Sequence, residues 1–255
     1  MGEPAGRSND ERDSLWLKVG VASVWLATGV LVVHPLYRSI GASYLGRLGL
    51  PAWLMPLTCA FEIALAFRVA LGRASSWVTL LQVSMVSSFT AILALAEPKL
   101  LVSPFGMLTK NVPIVAAVAG AWLLEREGFS RRTEWLLRVG MASVWITEGL
   151  FPKILFQQSE ELWIAEQTGL AFGEPGLLLA LIGVAQLGSG IAALLCRGRL
   201  LRLVLAAQLV GLVVLPVVVS VFVPWMWFHP FGPFTKNVPI VLGTLVVLRR
   251  CSRWS

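Results

Sequence analysis

Ionisable side chains inside long apolar segments are the first candidates for chemistry in this 255-residue chain. Glu62 lies eleven residues after Pro51 within the apolar run 48–67, roughly 16 Å along a helix and so close to the middle of a bilayer. An ionised acid there costs about 2.5–3.5 kcal/mol on insertion scales, so the group must face protein, find a donor or take up a proton. Glu148 and Lys153 fall within the run 139–156. Their spacing of five residues allows a partial ion pair on nearby helix faces, with a Lys153 that snorkels outward as the alternative. For Glu62 the bland alternative is a structural hydrogen bond between helices.

The segment PFGMLTKNVPIV at 104–115 returns as PFGPFTKNVPIV at 230–241, ten of twelve positions matching. Its Pro, Gly and Asn cannot continue an ideal helix, yet the apolar runs that follow, 111–124 and 237–248, are too short to cross a membrane without residues upstream of each Lys. Irregular backbone at that depth must be buried in protein or line a polar cavity. Thr109 or Asn111 would cap the following helix, with Pro113 in its first turn. Lys110 and Lys236, beside Asn111 and Asn237, would then stand at helix N-termini that favour anions; the alternative is a tight turn with each Lys at the surface. His34 and His229 fall near the outer face at non-equivalent positions, which suits an interfacial role better than a metal or haem pair, and His229 also joins the candidate ligand contacts. Cys59, Cys196 and Cys251 form no CxxC and disfavour a thiol relay.

These residues require a scaffold of membrane helices. The chain is 56% hydrophobic and 14% charged, which excludes a soluble, disordered or disulfide-stapled class, and its net charge of +7 is not a nucleic-acid footprint. Runs 74–96 and 175–196 contain no Asp, Glu, Lys or Arg, and 203–235 is too long for one crossing and should turn near Pro224, Pro230, Gly232 and Pro233. A second repeat, VGVASVW at 19–25 and VGMASVW at 139–145, sets an offset of 120 residues against 126 for the PFG segment. The chain therefore reads as an all-α integral membrane protein of eight transmembrane helices in two tandem, parallel four-helix repeats. The expected boundaries are a mobile cytoplasmic tail over 1–14, repeats over 15–126 and 134–250, a linker over 127–133 and a tail over 251–255. Alternating crossings divide the 21 Lys and Arg 15 to 6, favouring both termini in the cytoplasm. Trp16, Trp53, Trp77, Trp122, Trp135 and Trp225 fall near predicted ends, and Glu160, Glu161 and Glu166 read as an external interfacial loop. The repeat also carries Glu62 onto Gln186 and Thr28 onto Glu148, so each half keeps one acid and replaces the other by a neutral polar group.

Both halves resemble the DoxX-like family of four-helix membrane proteins, on ASVWITEGLFPKI at 142–154, the second-helix acid or amide (Glu62, Gln186) and HPFGPFTKNVP at 229–239. The first copy departs from that pattern, with Thr28 and Val33 in place of the Glu and Lys and Ser103 in place of His229. Named relatives are membrane subunits of thiosulfate:quinone oxidoreductase, so the resemblance implies a quinone-linked redox role in a bacterial inner membrane. The first functional expectation is a multi-pass protein whose pockets, drawn from Glu62, Lys110, Glu148, Lys153, Gln186 and Lys236, bind a small lipophilic or anionic ligand, a quinone for instance, beside a redox partner protein. A proton-coupled or small-solute transporter and a scaffold without ligand are the alternatives.

Overall fold

The computed structural model describes residues 5–251. Ten α-helices carry the chain: α1 (Ala5–Val30), α2 (Pro35–Arg47), α3 (Leu54–Leu71), α4 (Ser76–Ala96), α5 (Asn111–Glu127), α6 (Arg131–Leu150), α7 (Ser159–Gln167), α8 (Pro175–Leu195), α9 (Gly198–Phe222) and α10 (Asn237–Arg250). Among the described residues six helical segments are long and apolar enough to cross a membrane: Asn9–Val33, Leu54–Leu71, Ser76–Ala96, Pro104–Glu127, Pro175–Leu195 and Gly198–Phe222. A seventh exists if α6, prolonged to Leu155, and α7 count as one span bent by 89°. Helix α10 has only 14 residues, about 21 Å. As the prolines foretell, α9 ends at Phe222, and Pro224–Phe228 forms a 3-10 turn.

Local signals explain the ends. Ser75 and Ser130 occupy N-cap positions and accept hydrogen bonds from the backbone of Val78 and Thr133, satisfying donors that the first turn leaves unpaired. Pro152 cannot donate within its helix, and the helix loosens into a π-turn at Phe151–Leu155, closed by Phe156 N donating to Phe151 O over 2.7 Å. The stretches expected as outer loops are the short helices α2 and α7.

The two repeated motifs pack against each other across the halves. Gly20, in the first VGxASVW, lies against Pro239 of α10, where an added Cβ would come within 2.9 Å of the proline Cα. Gly140, its counterpart, lies against Ala116 and Pro113 of α5. Each half is closed by a second pair of small-residue contacts. A Cβ on Gly29 would meet the carbonyl of Cys59 at 2.7 Å, and one on Gly149 would meet that of Gly183 at 2.5 Å. Helix α1 thus touches α3 and α10, and α6 touches α8 and α5, so the halves interlock into one bundle.

The start of the chain differs from expectation. In place of a mobile tail, the described part of 1–14 is the first turns of α1, and residues 1–4 lie outside the described region. Asp13 is fully buried and pairs with Arg249 at 2.8 Å and with Arg250, which also meets Asp10 at 2.8 Å. Two acids three residues apart share a helix face, and the C-terminal arginines of α10 meet that face. Between the halves the break is the turn 128–130, with Gly128 at φ +72°; residues 252–255 lie outside the description.

Gly20→Ala and Gly149→Ala each place a methyl group against backbone. Thermal unfolding in detergent should show each losing about 1–3 kcal/mol, whereas Gly188→Ala, with nothing within 4 Å of the new Cβ, should be neutral. Equal midpoints for all three would refute the close crossings.

Candidate functional site

The PFG segments begin the site. Phe105 and Gly106 take left-handed backbone, φ +66° and +69°, and Gly232 takes φ +54°. A left-handed Phe costs roughly 1–2 kcal/mol, and buried Phe105 is held by edge-on contact with Phe234 at 6.2 Å. These turns free carbonyl groups from helical bonding. Lys110 Nζ donates to the carbonyl of Pro233 at 2.7 Å, and Lys236 Nζ donates to the carbonyl of Met107, also at 2.7 Å. Met107 and Pro233 hold the same place in the two motifs, so the bonds are reciprocal. Both lysines are buried, which settles their position against the surface alternative.

Each lysine lines a chamber built by the other half. The second-half chamber, about 110 Å³, contains Lys110, Trp145, Glu148, Lys153, Gln186 and Asn237, with Glu161 at its edge and an apolar wall from α9. The first-half chamber, about 200 Å³, contains Trp25, Thr28, Tyr37, Glu62, Asn111 and Lys236, with its wall from α4. The repeat offsets relate Trp25 to Trp145, Thr28 to Glu148, Glu62 to Gln186 and Asn111 to Asn237. His229 is buried but lines neither chamber; its Nδ1 accepts from the backbone N–H of Phe231 at 3.3 Å. His34 stacks on Phe228, ring centres 4.2 Å apart. No group of three or more His, Cys, Asp or Glu among the described residues has the arrangement of a metal site.

Several expected pairings are rearranged. Glu148 does not pair with Lys153: its Oε1 accepts from Thr109 Oγ1 at 2.9 Å, while Lys153 Nζ bonds Glu161 Oε1 at 2.8 Å. The break after the π-turn folds α7 back, which brings Glu161 inward and buries it, so this acid is not part of an external patch. Nor does either expected group cap α5. The Thr109 hydroxyl is engaged by Glu148, and Asn111 Nδ2 donates to Thr90 Oγ1 at 2.7 Å.

The chambers differ in how far they satisfy themselves. In the first, Trp25 Nε1 donates to Gln82 Oε1 at 3.1 Å, and Asn111 bonds Thr90. In the second, Gln208 takes the place of Gln82 but donates to Ser189 O at 3.1 Å, and Pro216 takes the place of Thr90. Trp145 Nε1, Gln186 Oε1, Asn237 Oδ1 and Glu161 Oε2 are buried without a partner, against Glu62 Oε2 alone among the first chamber's lining groups. Buried polar atoms left unpaired cost about 1–3 kcal/mol each. The formal charges cancel in each chamber, Lys110 and Lys153 against Glu148 and Glu161, and Lys236 against Glu62. That balance suits a neutral molecule with hydrogen-bonding oxygens better than an ion. Sequence reasoning missed Trp145 and assigned Thr109 to a helix cap and Glu161 to an outer loop; the repeated tryptophan of ASVW was the available signal for the first.

The sequence matches the DoxX-like family over residues 22–119 and again over 142–245, two segments that together cover well over half of the chain. The protein belongs to the DoxX-like family, in two tandem copies. No curated protein and no solved structure matches it.

Lys110→Met and Lys236→Met each strip one carbonyl of its donor. Denaturation in detergent should register about 1–3 kcal/mol of loss for each single variant. The double variant should lose less than the sum, because both bonds bridge one interface. Strict additivity would mean that the two bonds are independent.

Proposed function

We propose that this membrane protein binds a small, neutral, lipophilic molecule with oxygen-bearing head groups, of the quinone class, in the chamber of the second half. One observation carries the reading: Trp145, Gln186 and Asn237 present unpartnered donor and acceptor atoms, whereas the first half pairs its tryptophan and asparagine and leaves only Glu62 Oε2 unpaired among its lining groups. A quinone carbonyl needs donors, which Trp145 Nε1 and the lysines supply. The hydroxyls of the reduced form need acceptors, which Gln186, Asn237 and Glu148 supply. The apolar wall from Leu212, Leu215 and Val219 gives a lipid tail a path outward, and 110 Å³ is of the order that holds one aromatic ring. Such a role is redox-linked, with electrons exchanged through a separate partner protein and Glu148 placed to hold a proton beside the ligand head.

The same reading places the chain across a bacterial plasma membrane eight times with both termini cytoplasmic. It is supported by the repeat, which makes α6 and α10 the counterparts of α1 and α5, and by the excess of Lys and Arg at one set of ends.

Solvent extraction and mass spectrometry of purified protein should find a retained quinone. Gln186→Leu and Trp145→Phe should each reduce retention by about tenfold, and Glu62→Gln, in the other chamber, should leave it unchanged. Protein free of any such molecule that instead carries a flux driven by a pH gradient in proteoliposomes would replace this reading with transport.

A further inference from the structure

The arginine-rich end of the bundle holds a second difference between the repeats. In the first half a carboxylate sits at the foot of α3. Glu125 Oε1 accepts from Lys18 Nζ at 2.7 Å and from Ser14 Oγ at 2.9 Å, while Oε2 accepts from the backbone N–H of Ala74 at 2.8 Å. Lys18 also donates to the carbonyl of Gly72, which ends α3, at 3.0 Å. The second half repeats the cation and the carbonyl. Arg138, the counterpart of Lys18, donates to the carbonyl of Cys196, which ends α8, at 2.8 Å, and to those of Ala193 and Leu194. The carboxylate is not repeated at its own position, where the counterpart of Glu125 is Cys251; the acid that meets the cation is instead Glu134, at the position of Ser14.

A cavity of about 220 Å³ stands there, walled by Arg131, Arg138 and Arg197, with Trp135, Glu134 and Cys251. Glu134 is held by Arg138 at 3.2 Å. Arg131 and Arg197 have no ion pair among the described residues, so three guanidinium groups face one carboxylate. Exposed Val139, Leu195 and Leu200 lie within two positions of the lining residues Arg138, Arg197 and Leu201 in the chain, and the Trp135 ring carries Arg138 over its face at 4.8 Å. Fork-shaped guanidinium donors match phosphate oxygens in pairs, and basic pockets between helices at a membrane surface take lipid head groups. We infer that this cavity binds an anionic phosphate group in the place that the Glu125 carboxylate fills in the first half. These neighbouring exposed apolar side chains favour a phosphate carried by an anionic phospholipid, whose chains would lie on α6, α8 and α9.

Native mass spectrometry of protein exchanged into vesicles of phosphatidylglycerol and phosphatidylcholine tests this. The wild-type chain should retain phosphatidylglycerol selectively. Arg131→Ala/Arg197→Ala, which changes exposed side chains, should retain it about thirtyfold more weakly. Cys251→Glu should weaken it comparably by restoring an internal carboxylate. Inorganic phosphate resolves the source: displacement of the lipid shows a site for the phosphate group itself, and no displacement shows a site that requires the lipid. A rise in the wild-type melting temperature with phosphate, lost in both variants and without lipid retention, identifies a free anion. Equal retention of lipid, and equal response to phosphate, by the wild type and both variants would overturn the inference.

Discussion

Two buried lysine amines exchanged between halves hold together the end of this bundle that carries the PFG turns. A lysine sunk in a bilayer protein needs an acceptor, and a non-helical turn at that depth leaves carbonyls that need donors. The PFGxxTKNVP segment carries both needs on one short stretch, and each lysine passes over its own turn to reach a carbonyl of the other. Lys110 reaches Pro233 and Lys236 reaches Met107, so each copy completes the other. The glycine contacts of Gly20 and Gly140 with the following helix of the opposite copy bring the two turns within reach. Interlocking of the halves is thus a consequence of local chemistry that neither copy can satisfy alone.

Duplication followed by divergence then accounts for the asymmetry of the chambers. Both keep a tryptophan, an asparagine, a crossed lysine and an apolar wall. The first closes its polar groups upon Gln82 and Thr90, whereas the second has redirected the glutamine and put Pro216 in place of the threonine. It has also gained the buried pair of Lys153 and Glu161. Pro216 offers Asn237 no hydroxyl acceptor of the kind Thr90 gives Asn111, and Gln208, turned toward Ser189, leaves Trp145 Nε1 unpaired, so one substitution and one redirected side chain contribute to a cluster of unpaired groups facing one small volume. The opposite end follows the same logic: Arg138 inherits the helix-capping duty of Lys18, and Cys251 does not inherit the carboxylate of Glu125.

Much of this was legible in the residues. Apolar run lengths, the two repeated motifs and the scarcity of charge mark a helical membrane protein of two copies, because insertion into oil constrains composition residue by residue. The same constraint picks out Glu62 and Glu148 as inward-facing and the repeat adds Gln186, whereas for Lys110 and Lys236 the residues left a surface position open that the packing closes. It errs where the partner is decided by a bend or a crossing: Lys153 pairs with Glu161 because the chain turns back after a π-turn at Pro152, and residues before Asp13 are helical because Arg249 and Arg250 arrive beside them.

Local hydropathy and periodicity are enough to establish the solvent this chain folds in, its duplication and the acids that must be sheltered. Packing in three dimensions selects which half furnishes each chamber's lysine, which chamber keeps unpaired atoms and which acid answers which base. The exchanged lysines join residues more than a hundred positions apart and Lys153 meets Glu161 across a sharp bend, and helix periodicity carries no information about which face will come to lie opposite.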